Sequence, residues 1–589
     1  MKTSVQKLFL SFLMIFFVTG TSFSANEYFR SITSGNWNSL STWEMSLNNS
    51  TWVPATSTPD ETSNLITIRT PNTVTITVNV SADQLTVNNG GTLSIDSKIL
   101  LTILDGSGTD LIVTTGGTVS GAGTVQTQGA DVTVNINSNA SFSADLLVNS
   151  GNTMLLDPGG PYTPSITGDI TINNSAALQG GSGGYFIIAK GNVLNNGTIE
   201  GVSGSSFVMR GASLVNNGAI TINNLRFDST TALSGTGTYT SNAIAITAAG
   251  NVSLSNNITF APTSSFTINA GGVFDPTNIF TFENGTFSLS NGGTVLNSGT
   301  FRTRDTVTVL VRPVSNFRAP FNVSDGITTL YDQSGPFNAP MYGTITIDAG
   351  AVLAGGPGGY TITAYDNVIN EGSIIGGSST SFTMNGASFL NNGLITITNL
   401  NFDSTTAVSG SGVFSSTNTY INSTGIVSLS NDITFTPGTT FTVNSGGILD
   451  PNGNIFTLST AKFLLNPGGT VANSGTFRTQ DTVIVNIRNG TNFNCALNIN
   501  SGLTTLYDPS GPFISTLFGT LTVDAGAALA GGPGGYYIFA MNTVTNNGTI
   551  QGSSSTSFVM NLIIYFQDTR NPLVILSNNE LPLLLYGQY

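Results

Sequence analysis

The chain has 589 residues, of which 16 are Lys or Arg and 30 are Asp or Glu, so its formal net charge is −14. It contains no histidine, which excludes a Ser-His-Asp triad, a zinc site built on His and a haem ligated by His. The single cysteine, Cys495, excludes an intramolecular disulfide and any CxxC motif, and its expected place is a small buried apolar position. The acidic balance argues against binding to nucleic acid.

Residues 1–25 predict a secretory signal peptide. Lys2 and Lys7 precede an apolar run from Leu8 to Val18, and small polar residues follow as far as Ala25. This apolar run is too short to cross a bilayer, and no later stretch reaches 18 apolar residues. The sequence therefore predicts a product that is secreted or displayed on the outer cell surface, with no transmembrane segment in the mature chain.

Residues 26–72 contain all three tryptophans, Trp37, Trp43 and Trp52. They precede the first alternating strand pattern, TVTITVNV from Thr73. An exposed first strand edge invites aggregation unless it is covered, so we interpret this segment as a Trp-rich N-terminal cap. The alternative is an aromatic platform on which sugars stack.

Three long repeats of about 175 residues fill most of the remaining chain. The strings LLDPGGPY, LYDQSGPF and LYDPSGPF begin at Leu155, Leu330 and Leu506. Other blocks, such as FDSTTALSGTG from Phe227 and FDSTTAVSGSG from Phe402, recur with the same step. The predicted repeats span residues 73–250, 251–425 and 426–560, the third being truncated, and residues 561–589 form a tail that matches no repeat.

A shorter period inside each repeat predicts the fold. Turn glycines at Gly326, Gly350, Gly372 and Gly393 alternate with short strands rich in Val, Ile and Thr. Tandem turn-and-strand units of this length are typical of an all-β parallel β-helix, or β-solenoid, here of roughly 23 rungs. A chain of antiparallel β-sandwiches is the alternative.

The Asn-Asn-Gly turns carry a further expectation. Asn195, Asn216, Asn391 and Asn546 are predicted to take left-handed backbone, since Asn tolerates it. Asn side chains at equivalent turns are also predicted to stack into a hydrogen-bonded ladder from one rung to the next.

The sequence resembles secreted parallel β-helix repeat proteins of Bacteroidetes-type bacteria. The resemblance rests on SGNWNS-x-STW with a nearby VP, on NNGGTLSI, and on the NNGTI and NSGTF turns of the body. It implies export across two membranes and a surface-associated, adhesin-like role, as cargo of the type IX secretion route. The tail does not match the sorting domain of such cargo. It is interpreted as a truncated or frameshifted product, or as an apolar cap for the last rung.

Charged residues offer one candidate catalytic or binding surface. FRTRDTV contains Arg302, Arg304 and Asp305, and its relative FRTQDTV contains Arg478 and Asp481. On a strand, Arg302 and Arg304 would share a face, which would suit an acidic sugar of the kind cleaved by β-helix polysaccharide lyases and glycoside hydrolases. A solvent-exposed face with a weak ion pair is the competing interpretation.

A third possibility is an ice-binding solenoid, which requires a flat array of Thr on successive rungs. Thr73 and Thr75 alternate with apolar residues, but Asn223 stands where the second long repeat has Thr398.

Taken together, these features predict a structural or adhesive stalk that contacts carbohydrate, cells or abiotic surfaces. No catalytic, metal-binding or cofactor-binding residue is predicted, and no cofactor.

Overall fold

A computed structural model describes residues 27–560, except 159–162, 182–183, 202, 332–337, 357, 473, 508–513, 533–536 and 553–555. The predicted signal peptide and the predicted tail, residues 561–589, lie outside the described residues, as do Asp332 and Asp508 of the long repeats. The described chain is all-β, with strands stacked in parallel into a β-solenoid of about 22 turns. The predicted fold class is confirmed, and the number of turns is close to the predicted one.

The chain divides into two compact units, residues 1–224 and 225–589, with the boundary inside the strand Asn224–Phe227. In both units each coil has three short strands, and each strand pairs in parallel with the strand one coil further along. Beyond the first coil, the described pairings give one coil between 18 residues, as from Ser381 to Asn399, and 26 residues, as from Thr92 to Thr118. Three sheets therefore run along each unit.

The first unit contains sheets 1a, 1b and 1c. Sheet 1a contains Gly35–Asn36, Thr73–Ile76, Thr92–Ile95, Thr118–Gly121, Ser141–Phe142, Ser165–Ile166, Phe186–Ala189 and Ser206–Met209. Sheet 1b contains Val80–Ala82, Leu100–Leu104, Ile170–Ile172, Val193–Asn195 and Ser213–Asn216. Sheet 1c contains Tyr28–Ser31, Leu65–Ile68, Leu85–Val87, Leu111–Val113, Ala176–Gly180, Thr198–Gly201 and Ala219–Ile220. Two long strands, Thr124–Ile136 and Asp145–Leu156, bend at a corner and belong to both 1b and 1c.

The second unit contains sheets 2a, 2b and 2c. Sheet 2a contains Thr238–Tyr239, Ile258–Phe260, Phe321–Val323, Ile345–Ile347, Val368–Asn370, Ser388–Asn391, Thr405–Ser409, Ile426–Leu429, Ile448–Asp450, Thr470–Val471, Asn492–Phe493, Ile514–Leu517, Tyr537–Ala540 and Ser557–Met560. Sheet 2b contains Ala243–Ile246, Ser265–Ile268, Ile327–Leu330, Val352–Gly355, Ser373–Gly376, Leu394–Thr396, Val413–Phe414, Ile433–Phe435, Ile455–Ser459, Thr476–Gln480, Ala496–Ile499, Leu521–Val523 and Val544–Asn546. Sheet 2c contains Thr230–Ser234, Asn251–Leu254, Val273–Asp275, Thr294–Val295, Asn316–Phe317, Asn338–Met341, Thr361–Ala364, Ser381–Met384, Asn399–Phe402, Asn418–Ile421, Thr440–Val443, Lys462–Leu465, Thr482–Ile487, Leu503–Leu506, Ala528–Gly531 and Thr549–Gln551. The long strands Ile279–Leu289 and Thr300–Val311 bend at a corner and belong to both 2a and 2b.

Alternation within the strands builds the core. Most inward positions are apolar and fully buried, and a few are buried Thr or Asn, whereas the residues between them face outward and are mostly half-exposed. In the second unit, buried aromatic rings of successive coils form two columns of ring contacts, one between Tyr239 and Phe321 and one between Phe382 and Phe493. In the first column, the ring centroid of Phe301 lies 5.1 Å from that of Phe280 and 5.2 Å from that of Phe317. A single coil cannot bury such rings alone, so stacking supplies the core.

The corners confirm one expectation about Asn and correct another. The predicted side-chain ladder is present: Asn195 Nδ2 donates to Asn216 Oδ1 at 2.7 Å, and Asn370 Nδ2 donates to Asn391 Oδ1 at 2.7 Å. The expectation of left-handed backbone at Asn195, Asn216, Asn391 and Asn546 was wrong, because these residues end strands and have no positive φ. The glycine that follows them is required by close stacking instead. A Cβ on Gly197 would lie 2.1 Å from the carbonyl oxygen of Ala176.

The beginning of the described chain contains antiparallel pairing. The strand Trp43–Ser46 pairs antiparallel with Tyr28–Ser31 and with Val53–Pro54, and the short 3-10 helix Leu40–Thr42 precedes it. Tyr28–Ser31 in turn pairs in parallel with Leu65–Ile68. The search for membrane-spanning helices, confined to the described residues, finds none of sufficient length and apolarity.

Candidate functional site

The two arginines of FRTRDTV lie on the outward face of the strand Thr300–Val311, while Phe301 before them and Thr303 between them face the core. Each guanidinium has a partner within the protein. Arg302 Nε donates to Asn322 Oδ1 at 3.0 Å, and Arg304 Nη1 donates to Glu283 Oε1 at 2.9 Å. The shared face predicted for these two residues is present, and both side chains are already engaged by the neighbouring coils.

Arg302 is the first member of a polar ladder that the third long repeat reproduces. Asn322 Nδ2 donates to Asp348 Oδ1 at 3.1 Å, so the ladder crosses three coils. In the third repeat, Arg478 Nε donates to Asn498 Oδ1 at 3.1 Å and Asn498 Nδ2 donates to Asp524 Oδ2 at 3.0 Å. The same geometry at two places fits an interaction between coils better than a single catalytic centre.

Asp305 and Asp481 occupy corners where the backbone is left-handed. Their φ angles are 60° and 61°, and the glycines one coil further along, Gly326 and Gly502, have φ angles of 65° and 66°. Asp tolerates this conformation better than most residues, because its short polar side chain can bond locally. Asp481 Oδ2 accepts a hydrogen bond from Ser459 Oγ at 2.7 Å. We therefore interpret Asp305 and Asp481 as residues that stabilise the corners of the coil.

The structure separates the two candidate clusters onto different sheets. Arg302 lies on sheet 2a, whereas the strand of Arg478 stacks in register on sheet 2b, in line with Thr306–Val309. The reason is the number of strands between equivalent positions. From Asn316–Phe317 to its equivalent Asn492–Phe493 the described chain advances by 25 strands. Eight coils of three strands account for 24 of them, so the equivalent strand lies one sheet further on. Equivalent residues of the second and third repeats consequently face different sides.

The tryptophans divide into two buried residues and one that is partly covered. Trp37 and Trp43 are 1% and 0% exposed, and their rings meet edge-to-face at 5.3 Å. Trp37 Nε1 donates to the Pro59 carbonyl at 3.0 Å and Trp43 Nε1 to the Trp37 carbonyl at 2.7 Å. Trp52 is half-buried, and the guanidinium carbon of Arg30 lies over its ring, 4.0 Å from the ring centroid. Trp37 and Trp43 therefore have no ring face available to a sugar.

Sheet 1a carries an array of hydroxyl groups, of which only those on the strand Thr73–Ile76 were singled out from the sequence. Successive strands read T-V-T, T-L-S, T-V-S and S-F-S, with the middle residue buried and the outer two facing solvent. Parallel register aligns them in two rows, one of Thr73, Thr92, Thr118 and Ser141, the other of Thr75, Ser94, Ser120 and Ser143. We call these eight residues the hydroxyl face. The signal in the sequence was a [ST]-x-[ST] triplet after each turn.

Three carboxylates cluster near the corner between sheets 1b and 1c. Asp110 is fully buried and accepts hydrogen bonds from the backbone of Gly106 at 2.9 Å and of Thr133 at 2.7 Å. Burial raises the pKa of Asp110 against the effect of these two bonds, with Asp83 and Asp105 adding to the rise. Burial, and then the charge of Asp105, also raises the pKa of Asp83, whose Oδ1 has no hydrogen-bond partner in the described structure. No group of three or more acidic or Cys side chains among the described residues is arranged to hold a metal ion.

This environment makes Asp83→Asn a stabilising substitution at neutral pH. Because the folded-state pKa of Asp83 is raised above 3.8, its contribution to stability is complete below about pH 3.8 and is lost as the pH rises through the raised pKa. Denaturant midpoints at pH 7 should therefore be higher for the variant than for the parent chain. The two midpoints should converge at pH 3, and a gain that is equal at both pH values would contradict this explanation.

Cys495 lies in the core, as predicted, with 1% of its surface exposed. Burial raises the pKa of its thiol to about 12, so the thiol is protonated at neutral pH and is not a nucleophile. This residue therefore adds no reactive group to the surfaces described above.

Comparison with known proteins gives no further guide to function. Neither a protein family nor a curated protein nor a solved structure matches the chain significantly. The function must accordingly be argued from the geometry of the outward faces.

Proposed function

We propose that the protein is an exported β-solenoid that adheres to uncharged, hydroxyl-bearing surfaces through its outward sheet faces and has no catalytic role. Export is supported by the sequence of residues 1–25, with its two lysines and apolar run. Adhesion is supported by the many Ser, Thr and Asn side chains that the faces present, in a chain with only 8% charged residues. Such faces form hydrogen bonds at many points at once.

The observation that carries the proposal is the regular stacking of these polar groups. On sheet 2c, Asn418 Nδ2 donates to Asn399 Oδ1 at 3.2 Å, and Thr440 Oγ1 donates to Asn418 Oδ1 at 3.0 Å. A second row joins Asn444 to Asn422 and Asn466 to Asn444, each at 2.9 Å. Rows of this kind hold polar groups at fixed positions, so contact with a surface orders few additional side chains.

A non-catalytic role is supported by the positions of the charged candidates. Arg302 and Arg478 are hydrogen-bonded within ladders, and Asp305 and Asp481 occupy left-handed corners. The alternative of a polysaccharide lyase or glycoside hydrolase predicts product release that depends on Arg302. Incubation with uronate-rich and neutral polysaccharides, with and without calcium, followed by measurement of new reducing ends, distinguishes the two functions.

The proposal is tested by co-sedimentation of the purified chain with insoluble particles of cellulose, chitin and silica. We expect retention several-fold above that of an inert protein of similar charge. We also expect little loss of binding between 0.1 and 1 M salt, because uncharged groups make the contact and ions screen only charges. Absence of retention on all three kinds of particle, or release of sugar products, would refute the proposal.

A further inference from the structure

The hydroxyl face is the most regular outward surface of the first unit. Three of its four strands, Thr92–Ile95, Thr118–Gly121 and Ser141–Phe142, follow a turn of the same kind, in which the glycine or asparagine at the third position has positive φ: 73° at Gly90, 78° at Gly116 and 62° at Asn139. The turns are themselves hydrogen-bonded from coil to coil, with Gly90 N donating to Gly116 O at 3.1 Å and Gly116 N to Asn139 O at 3.2 Å. The backbone thus holds the face in a fixed repeat.

That repeat is two-dimensional. Hydroxyl-bearing residues recur every coil, about 4.8 Å apart, and every second residue along the strand, about 6.6 Å apart. The eight side chains are Ser or Thr, and Thr is held to few rotamers by its branched Cβ. The positions of the hydroxyl groups are therefore set by the coil and need little ordering on contact.

The hydroxyl groups of this face are free to bind a partner. Within the described structure only the Ser143 hydroxyl has a protein partner, the Val119 carbonyl at 3.5 Å, and the other seven have none. The Asn and Thr rows of sheet 2c differ, since their side chains bond to one another. A hydroxyl group both donates and accepts, so an open array of them matches a partner that does the same.

The chemistry of the face also restricts the partner. None of the eight positions is charged or aromatic, and the nearest acidic residues along the chain, Asp96 and Asp145, each come two residues after a member of the face. An ionic partner would find no counter-charge, and a sugar chain would find no ring on which to stack. The partner that fits this face is therefore a rigid, uncharged lattice whose groups both donate and accept hydrogen bonds. Its repeat distances should be similar to the spacings between the hydroxyl groups along the strand and between coils.

From this geometry we infer that the hydroxyl face binds the surface of ice. The inference rests on the proposed surface-contacting function and names the partner of one face. Water molecules in ice are fixed on such a lattice, and the face offers a matching set of unpartnered hydroxyl groups on four consecutive coils. Protein molecules bound to the surface of a growing ice crystal would hinder the addition of further water molecules to that crystal.

The test measures incorporation of the full chain into slowly growing ice, together with thermal hysteresis. The parent chain should be enriched in the ice fraction several-fold over an inert protein. The double variant Thr92→Lys, Thr118→Lys places two long charged side chains at the centre of the face and should fall to the level of the inert protein. Thr86→Lys is the matched control, since Thr86 is a half-exposed residue on sheet 1c of the same coils and should leave the enrichment unchanged.

Unchanged circular dichroism and melting show that the variants are folded. The inference is overturned if the parent chain is no more enriched in ice than the inert protein, or if the control and the double variant lose enrichment equally. Retention on cellulose or chitin without enrichment in ice would also overturn it, while leaving the proposed adhesive function in place. Failure on every surface would overturn both.

Discussion

Trp43→Ala should destabilise the N-terminal coils by about 3 to 5 kcal/mol, the usual cost of emptying a buried aromatic position. Trp43 is fully buried, packs edge-to-face on Trp37 and donates a hydrogen bond to the Trp37 carbonyl. Its removal leaves a cavity and an unpaired carbonyl together. Because coils of a solenoid unfold with limited cooperativity, the loss should appear first as earlier proteolysis and denaturant unfolding of the N-terminal coils.

Trp52→Ala is the control for this prediction. Trp52 is half-buried and lies under the Arg30 guanidinium, a contact worth about 0.5 to 1 kcal/mol at an exposed site. Its substitution should shift the same denaturant transition by well under half as much as Trp43→Ala. Equal shifts for the two variants would mean that the burial of Trp43 does not stabilise the start of the solenoid.

Gly326→Ala should have the second large effect, because two costs combine at this corner. The φ angle of Gly326 is 65°, and left-handed backbone costs a residue with a Cβ about 1 to 2 kcal/mol. In addition, the new Cβ would lie 2.1 Å from the carbonyl oxygen of Asp305 on the preceding coil, so the two coils must separate locally. The expected loss in the free energy of unfolding therefore exceeds the conformational cost alone.

Gly453→Ala isolates the conformational cost. Gly453 has a φ angle of 81°, and a Cβ placed there meets no atom within 4 Å. Its substitution should lower the free energy of unfolding by about 1 to 2 kcal/mol. Denaturant titrations of both variants give the comparison. A loss at Gly326 no larger than the loss at Gly453 would show that coil stacking tolerates the added methyl group.

Much of the fold could be predicted because short, local sequence patterns determine the strands and the turns. Alternation in segments such as Thr92–Ile95 places apolar residues inside, and glycine-containing turns separate the strands. The recurrence of similar segments about every 175 residues then indicated that the strands and turns are repeated in tandem. The ladder of Asn195 and Asn216 was also predictable, since equivalent turns of stacked coils must meet.

The site was less predictable, because it depends on register between coils. Beyond the first coil, the length of the described coils varies from 18 to 26 residues, so the sequence alone does not show that Thr92 lies beside Thr118. Likewise, nothing local to Arg302 indicates that Asn322, 20 residues further along, engages its guanidinium. The conformation of Asn195 was mispredicted for a related reason. Close contact between coils, rather than the preference of Asn, requires the glycine in that turn.

The spacing of 25 strands between equivalent positions has a consequence for valency. Had the second and third repeats differed by a multiple of three strands, any patch that they share would point in one direction, and both copies would engage the same neighbour. With one strand left over, the copies on sheets 2a and 2b point in different directions. On the proposed adhesive function, two copies of a shared patch that point in different directions would contact two different neighbours, so such a repeat would let one chain cross-link them.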